Sequence, residues 1–314
     1  MSERALRWMA VGVGDIAVRR VLPAILAEPR SRLAGLVTRD PAKAAPYGVP
    51  SWTTVEEALA ACDADAVYVA TPVFLHAPQT VAALRAGKHV LCEKPMALNY
   101  AEACDMTRVA LESERLLGVA YYRRMYPKVE RARELIAGDA IGRPFLAEAT
   151  SHAWFVPDPG ERDWLVDPQR AGGGPLYDIA SHRIDLMHYL FGRPVRVSAH
   201  WSNLVHRYDV EDNATIVIEY ESGMRGVIDV RWHSHIARDE FRIRGTDGEM
   251  DLTPLNGPQL IWPGGEQEIP PHENLHYPCV HEFVNAALDG APLRSSGETA
   301  LATEWVIEQA RARP

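Results

Sequence analysis

Three short segments of the chain carry residue types and spacings suited to chemistry. Gly12–Ala17 reads GVGDIA, which has the GxGxxA spacing of a turn that holds a dinucleotide pyrophosphate. Glu93–Pro95 puts a lysine just after an apolar strand, and Asp178 and His182 put a carboxylate and an imidazole four residues apart. Hydride transfer to or from an alcohol carbon needs a cofactor site, a cation near the oxygen and a proton acceptor. Together the three segments predict a redox enzyme.

The glycine motif has the flanking pattern that dinucleotide binding requires. The apolar stretch 6–13 predicts a strand before it, and 18–26 has the spacing of a helix after it. The first glycine permits the tight turn, the second lets the pyrophosphate approach the backbone, and alanine in third place allows close helix–strand packing. We expect the cofactor to be bound here by Gly12, Gly14, Asp15, Ile16 and Ala17.

The residues after the second predicted strand, 33–37, discriminate between NAD and NADP. An NAD site often has an acidic residue there, which bonds the ribose 2′-hydroxyl. This chain has Thr38 and Arg39, and a hydroxyl with a guanidinium suits a 2′-phosphate. Two alternatives remain open: Arg39 is only a solvated turn residue, or Asp40 turns inward to the ribose. The prediction is NADP, with NAD as the alternative.

The next two strands end in further candidate residues. Thr71 and Pro72 follow the third strand, at the carboxyl edge where doubly wound sheets bind ligands. His76 either contacts the cofactor ribose or only begins a helix. At the same edge, Glu93 and Lys94 follow the fourth strand, and the lysine can stabilise alkoxide character on a substrate oxygen. We assign all five to the cofactor site, and Lys94 also to substrate binding and catalysis.

A glycine run, 172–174, leads into a predicted helix over 178–191. In a helix, Asp178 and His182 lie on one face. His182 can exchange a proton with a substrate hydroxyl near neutral pH. Asp178 can bond a second hydroxyl, or orient the lysine or the imidazole. A histidine on an apolar helix is more often a core residue, but the other motifs favour catalysis here.

The elements around these motifs predict two domains. Strand and helix patterns alternate through the first ~120 residues, which predicts an α/β fold with a doubly wound parallel sheet. From Val195 onward, the pattern favours antiparallel strands, with tight turns at 221–223 and 246–248. We expect a dinucleotide-binding domain over 1–121 and a substrate-binding α/β domain over 122–314.

Composition excludes several classes of protein. The chain has 314 residues, of which 47% are hydrophobic, and its net charge of −9 argues against nucleic acid as a partner. No apolar run approaches the roughly 20 residues that span a bilayer. The start, 1–14, goes straight into a strand and turn, so we expect a soluble cytoplasmic protein without a secretion signal. Scattered cysteines favour buried thiols over a disulfide or metal site: Cys62, Cys92, Cys104 and Cys279.

These motifs, in this order and spacing, resemble the glucose-fructose oxidoreductase / inositol dehydrogenase / rhizopine catabolism family (Gfo/Idh/MocA). Further matches are 121–127 at the domain boundary, Trp164 before the glycine run, and 292–298. The resemblance implies a Rossmann domain followed by an α/β domain whose open, mainly antiparallel sheet forms homodimers or homotetramers. It also implies a catalytic lysine, aspartate and histidine, which carry over to Lys94, Asp178 and His182.

The chain departs from the family pattern at two positions. Tyr122 stands where many members have asparagine, and Val73 follows Pro72 where asparagine is frequent. Sugars and cyclic polyols are the family's usual substrates, and aromatic faces stack on sugars while histidines bond hydroxyls. The candidates to line the substrate cleft, each of which could instead be structural, are Tyr122, Trp154, Trp164, His233, His235 and His276.

The sequence thus predicts an NAD(P)-dependent oxidoreductase. It would transfer a hydride between the nicotinamide and a hydroxyl or keto carbon of a sugar or cyclic polyol. The alternatives are a non-catalytic dinucleotide-binding regulator and a redox-assisted glycosidase of the same fold.

Overall fold

The structure is a computed structural model that describes residues 4–157 and 162–312. The chain divides into two compact units. Unit 1 runs up to Tyr122 and includes His272–Leu301, whereas unit 2 comprises Arg123–Pro271 and the chain from Ala302 onward. The sequence prediction of a second domain over 122–314 therefore differs from the structure at Tyr122 and in the segment 272–301.

Unit 1 contains a six-stranded sheet in the order β3-β2-β1-β4-β5-β6. All neighbouring strands run parallel. The strand order reverses between β1 and β4, and doubly wound sheets bind ligands at such a switch point. The predicted doubly wound parallel sheet is confirmed. Its strands are β1 Leu6–Val11, β2 Ser31–Val37, β3 Ser51–Trp52, β4 Ala66–Val69, β5 His89–Cys92 and β6 Leu117–Val119.

Unit 2 contains an eight-stranded sheet in the order β14-β13-β12-β11-β7-β10-β9-β8. Neighbours are antiparallel, except that β7 and β10 run parallel. The turns at 221–223 and 246–248 join β9 to β10 and β11 to β12, as predicted. The strands are β7 Pro144–Trp154, β8 Pro194–Ser202, β9 Asn213–Tyr220, β10 Arg225–Arg231, β11 His233–Gly245, β12 Gly248–Asp251, β13 Gln259–Trp262 and β14 Gly265–Glu268.

Helices follow the strands in unit 1 and flank the sheet segments in unit 2. The α-helices are α1 Leu22–Ala27, α2 Pro41–Ala44, α3 Val55–Ala61, α4 His76–Arg85, α5 Tyr100–Glu112, α6 Pro127–Ala137, α7 Pro168–Ala171, α8 Ser181–Phe191, α9 Tyr277–Asp289 and α10 Gly297–Arg311. Two π-helical turns, Ala17–Val21 and Leu176–Ala180, precede α1 and α8. The 3₁₀ turns are Ala45–Tyr47, Val73–Leu75, Tyr122–Met125 and Asp163–Val166. No helix in the described ranges is long and apolar enough to cross a membrane.

The parallel sheet of unit 1 is buried on both faces. Along β1, Trp8 and Ala10 belong to one core cluster, and Met9 and Val11 belong to another. Successive strand side chains point to opposite faces, so an uninterrupted apolar run is what such a strand requires. This burial fixes the sheet whose carboxyl edge carries the glycine turn.

Helix α9 returns to unit 1 because its apolar face completes that core. Val280, Phe283 and Val284 are fully buried in the cluster that contains Trp8. The Phe283 and Trp8 ring centroids are 5.3 Å apart. Each such side chain contributes about 1.5–3 kcal/mol by burial. This packing is the reason that the segment 272–301 belongs to unit 1, although the sequence predicted it in the second domain.

Candidate cofactor and substrate sites

The glycine turn has the geometry that dinucleotide binding requires. Gly12 has φ +91°, and a Cβ there would lie 2.7 Å from the Ala70 carbonyl oxygen, so this position needs glycine. A Cβ at Gly14 would have no protein atom within 4 Å. Ala17 is fully buried against the sheet. The turn therefore leaves open space beside Gly14 at the start of the following helix.

Of the three residues after β2, two make local hydrogen bonds and one is exposed to solvent. The Asp40 carboxylate accepts a hydrogen bond from Ala42 N (3.0 Å) and caps α2. The Thr38 hydroxyl accepts from Asp40 N (3.2 Å). Arg39 is exposed, and it has no hydrogen bond or ion pair within the described residues. The Asp40 carboxylate is therefore engaged at the start of α2, whereas the Arg39 side chain is exposed.

His76 is buried between two loops of the carboxyl edge. Its Nε2 lies 2.8 Å from the Thr71 carbonyl oxygen and its Nδ1 lies 2.9 Å from that of Pro95. Burial lowers its pKa, and a neutral ring donates to only one of the two carbonyls. The Thr71 hydroxyl donates to Gln79 Oε1 (2.8 Å). His76 thus joins the loop after β4 to the loop after β5.

Glu93 lies directly after β5 and is 6% exposed. Its carboxylate accepts from the Tyr68 hydroxyl (2.9 Å) and from His276 Nε2 (3.0 Å). Lys94 N donates to its other oxygen (3.3 Å). Burial raises the pKa of Glu93, but His276, Tyr68 and Lys94 outweigh that effect and hold it below its usual value. Glu93 is therefore an ionised, internally bonded group beneath the half-buried Lys94.

Tyr122 and His276 also lie in unit 1, although the sequence analysis placed both in the second domain. Their ring centroids are 4.9 Å apart. The sequence gives no local signal for this contact or for the His276–Glu93 pair, which spans 183 positions. Unit 1 thus brings together Glu93, Lys94 and Tyr122 with His276.

In unit 2, the glycine run packs against the chain itself. The Gly172 and Gly173 backbones lie against the Tyr177 ring, and a Cβ at Gly174 would collide with the Glu211 carbonyl oxygen. The buried Glu211 carboxylate accepts from Gly174 N (2.8 Å) and Leu176 N (3.1 Å). Burial raises the pKa of Glu211, and these amides oppose the rise. The run therefore serves close packing at the start of the helical segment.

Asp178 and His182 lie on one continuous helical segment. Asp178 is half-buried in the π-helical turn, and His182 is buried in the first turn of α8. One turn further along, Asp185 accepts from Arg124 through two atoms, Nε (2.9 Å) and Nη2 (2.6 Å). Both partners are 1% exposed. This bidentate pair ties α8 to the 3₁₀ turn that begins unit 2.

The remaining substrate candidates lie in two parts of unit 2. Trp154 is 42% exposed and stacks on His235, with ring centroids 3.9 Å apart. His233 pairs with Trp154 across β11 and β7, and its Nδ1 lies 3.1 Å from Asp212 Oδ1. Trp164 instead packs in a small cluster that includes Ile179, the residue after Asp178.

Comparison with known proteins identifies the family. Residues 6–121 match "Oxidoreductase family, NAD-binding Rossmann fold", and residues 129–251 match "GFO/IDH/MocA C-terminal domain". The chain is 32% identical to the 1,5-anhydro-D-fructose reductase of Ensifer adhaerens over 322 residues, with 98% of this chain and 96% of the relative covered. The chain belongs to the Gfo/Idh/MocA family.

Two further Gfo/Idh/MocA comparisons concern sugar enzymes. A dTDP-3,4-didehydro-2,6-dideoxy-alpha-D-glucose 3-reductase of Streptomyces violaceoruber is 35% identical, with 95% of this chain and 92% of the relative covered. The crystal structure of the aldose-aldose oxidoreductase of Caulobacter crescentus, in complex with glycerol, superposes with a TM-score of 0.87 at 28% identity. The match covers 97% of this chain and 96% of that one. As a Gfo/Idh/MocA member, this chain is an oxidoreductase with an NAD-binding Rossmann domain.

Proposed function

We propose that this enzyme transfers a hydride between a nicotinamide cofactor and a hydroxyl or keto carbon of a sugar or cyclic polyol. The observation that carries the proposal is the glycine turn, where no protein atom lies within 4 Å of a Cβ at Gly14, so a pyrophosphate could approach the backbone. The sugar oxidoreductases to which the chain is similar over nearly its full length support the substrate class.

The residues present fit a dinucleotide. Backbone amides at the helix start beside Gly14 would hold the pyrophosphate, and the loops after β4 and β5 would border the nicotinamide half. When bound, the nicotinamide supplies or accepts the hydride. The chain's own groups must then bind the sugar oxygen and move its proton.

We assign those tasks to Lys94, Asp178 and His182, which match the family's catalytic residues. In oxidation, His182 accepts the hydroxyl proton, and Lys94 stabilises the negative charge that develops on the oxygen. In reduction, the same steps run in the opposite direction, so His182 donates the proton to the oxygen. Asp178 bonds a neighbouring hydroxyl or orients the lysine or imidazole. Tyr122, Trp154, Trp164 and His233 remain candidates for sugar contacts.

NADP is the cofactor that we propose, with NAD as the alternative. The capping of α2 by Asp40 and the exposure of Arg39 support this choice. A guanidinium binds a 2′-phosphate through charge-assisted bonds, whereas a carboxylate would repel it. We also propose that the open sheet of unit 2 forms a homodimer or homotetramer, which light scattering coupled to gel filtration can test.

A screen of both cofactors, oxidised and reduced, tests the function. Aldoses, inositols, uronic acids and keto-sugars are added in turn, and absorbance at the nicotinamide band is followed. We expect turnover with at least one substrate, and an approximately 10²-fold or greater loss of turnover in Lys94→Ala. Full turnover in that variant would contradict the catalytic role. Aglycone release without net cofactor consumption would indicate the glycosidase alternative instead.

A further inference from the structure

The two residues that flank Lys94 each lie against a buried histidine. On one side, His276 Nε2 lies 3.0 Å from the Glu93 carboxylate. On the other side, His76 Nδ1 lies 2.9 Å from the Pro95 carbonyl oxygen. Lys94 itself donates its backbone N–H to Glu93 (3.3 Å). The backbone position of the lysine thus depends on contacts made by its two neighbours.

His276 is itself fixed by its surroundings. It is 3% exposed, its backbone N–H donates to Asn274 Oδ1 (3.0 Å), and its ring packs on Tyr122. It directly precedes α9, whose apolar face is anchored in the core of unit 1. The imidazole therefore reaches Glu93 from an anchored element.

Glu93 needs the donor that His276 provides. A buried carboxylate that loses a hydrogen-bond partner incurs a desolvation cost, and it either takes up a proton or moves toward another donor. Because Lys94 N donates to the same carboxylate, a movement of Glu93 displaces the lysine. A displacement of about 1 Å at a catalytic group can reduce turnover 10²-fold.

We propose that His276 is a positioning residue: it acts on Lys94 through the Glu93 carboxylate. The inference rests on the catalytic role proposed above for Lys94. It does not require His276 to touch the substrate or the cofactor. The position of Lys94 depends on the hydrogen bond that His276 donates to Glu93, and an aromatic ring without that donor would not maintain it.

Two substitutions of His276 distinguish the effect of its N–H donor from the effect of its ring. His276→Phe keeps a ring against Tyr122 but removes the donor, and His276→Gln keeps an N–H donor near the Nε2 position. His281→Phe is the matched control, because His281 lies on α9, which follows His276, and its Nδ1 is 3.3 Å from the Glu28 carboxylate. Turnover, substrate KM and the cofactor Kd are measured for each, per molecule of folded, cofactor-binding enzyme.

We expect His276→Phe to lower kcat about 10-fold or more while the cofactor Kd changes less than about twofold. His276→Gln should recover most of the lost kcat, and His281→Phe should retain wild-type kcat. A folded His276→Phe enzyme with kcat within twofold of wild type would overturn the inference. So would an equal loss in the Phe and Gln variants.

If His276→Phe does not fold, His276→Asn decides, because its amide is too short to reach Glu93. Wild-type kcat in folded His276→Asn enzyme overturns the inference, and a kcat reduced about 10-fold or more at unchanged cofactor Kd supports it. The proposed function is tested separately. A loss of turnover in Lys94→Ala with full turnover in His276→Phe leaves the function intact and removes the positioning role.

Discussion

The two glycines of the cofactor turn should respond differently to the same added methyl group. At Gly12, alanine would have to adopt φ +91°, and its Cβ would lie 2.7 Å from the Ala70 carbonyl oxygen and 2.9 Å from the Thr71 Cγ2. At Gly14, the backbone has no positive φ and no protein atom lies within 4 Å of the new Cβ. Gly12→Ala should therefore damage the fold, and Gly14→Ala should damage only binding.

The magnitudes follow from these contacts. Backbone strain at Gly12 costs about 1–3 kcal/mol and overpacking costs a similar amount. We expect a total loss of about 2–6 kcal/mol, which lowers the unfolding midpoint of a unit of this size by roughly 4–24 °C. Gly14→Ala should leave the midpoint within about 2 °C. On the proposed function, its methyl group would occupy space that the pyrophosphate needs, so cofactor affinity should fall by about 1.5–3 kcal/mol, or roughly 10–150-fold.

Thermal unfolding without cofactor and fluorescence titration with NADPH and NADH measure the two effects separately. Each variant serves as the other's control, since both add one methyl to the same turn. A Gly14→Ala protein that is folded and binds both cofactors like wild type would refute the assignment of this turn to the pyrophosphate. A Gly12→Ala protein with an unchanged midpoint would refute the packing argument.

Three other predictions concern charged side chains. Arg39→Ala should weaken NADP(H) binding by about 1.5–3 kcal/mol and NAD(H) binding much less; titration of both cofactors tests this, and equal weakening would turn attention to Asp40. Burial lowers the pKa of Lys128 to about 8, below the ~10.4 of an unfolded chain. The unfolded chain then binds more protons between these values, so stability should rise by about 2 kcal/mol from pH 7.5 to 9.5. Urea unfolding should show this rise in wild type and not in Lys128→Met. Arg124→Met should cost about 3–5 kcal/mol, because Asp185 stays buried without its guanidinium. In urea unfolding, adding Asp185→Leu to Arg124→Met should restore most of the lost unfolding free energy. An Arg124→Met protein as stable as wild type would contradict this account.

The sequence predicted the parts of the fold that depend on local pattern. The alternation of apolar strands and helices indicated the doubly wound sheet, and the spacing of Asn99 and Glu102 is the local pattern of a helix start. That cap is present: Glu102 N donates to Asn99 Oδ1 (2.9 Å), and Leu98 N donates to the Glu102 carboxylate (3.1 Å). Such features depend on residues that are close together in the sequence, so the local pattern is enough to predict them.

Other features depend on contacts between distant segments. The strand Ser51–Trp52 is too short to show any periodicity. The parallel pairing of β7 with β10 cannot be told from antiparallel pairing by composition. The apolar spacing of α9 is the same whichever unit it completes. The π-helical turn at Leu176–Ala180 changes the hydrogen-bond register without any change in residue types.

The candidate site divides in the same way. Gly12, Gly14 and Lys94 are recognisable because each lies in a short motif next to a strand end. The contact of Glu93 with His276 is not recognisable, because only the folded unit brings together side chains 183 positions apart. Arg39 was a candidate from its position alone, and the cap that Asp40 makes on α2 became visible only in the structure.

The return of residues 272–301 to unit 1 has a consequence for synthesis of the chain. When the strands of the parallel sheet have been synthesised, Val280, Phe283 and Val284 have not. These three residues fill the core beside Trp8. Residues 123–271 are translated in between, which takes roughly 7–30 s at about 5–20 residues per second. Throughout that interval, the nascent cofactor-binding unit exposes apolar surface that its last helix will later cover. Exposed apolar surface of this kind favours aggregation, so the nascent unit is most vulnerable before residues 272–301 are added.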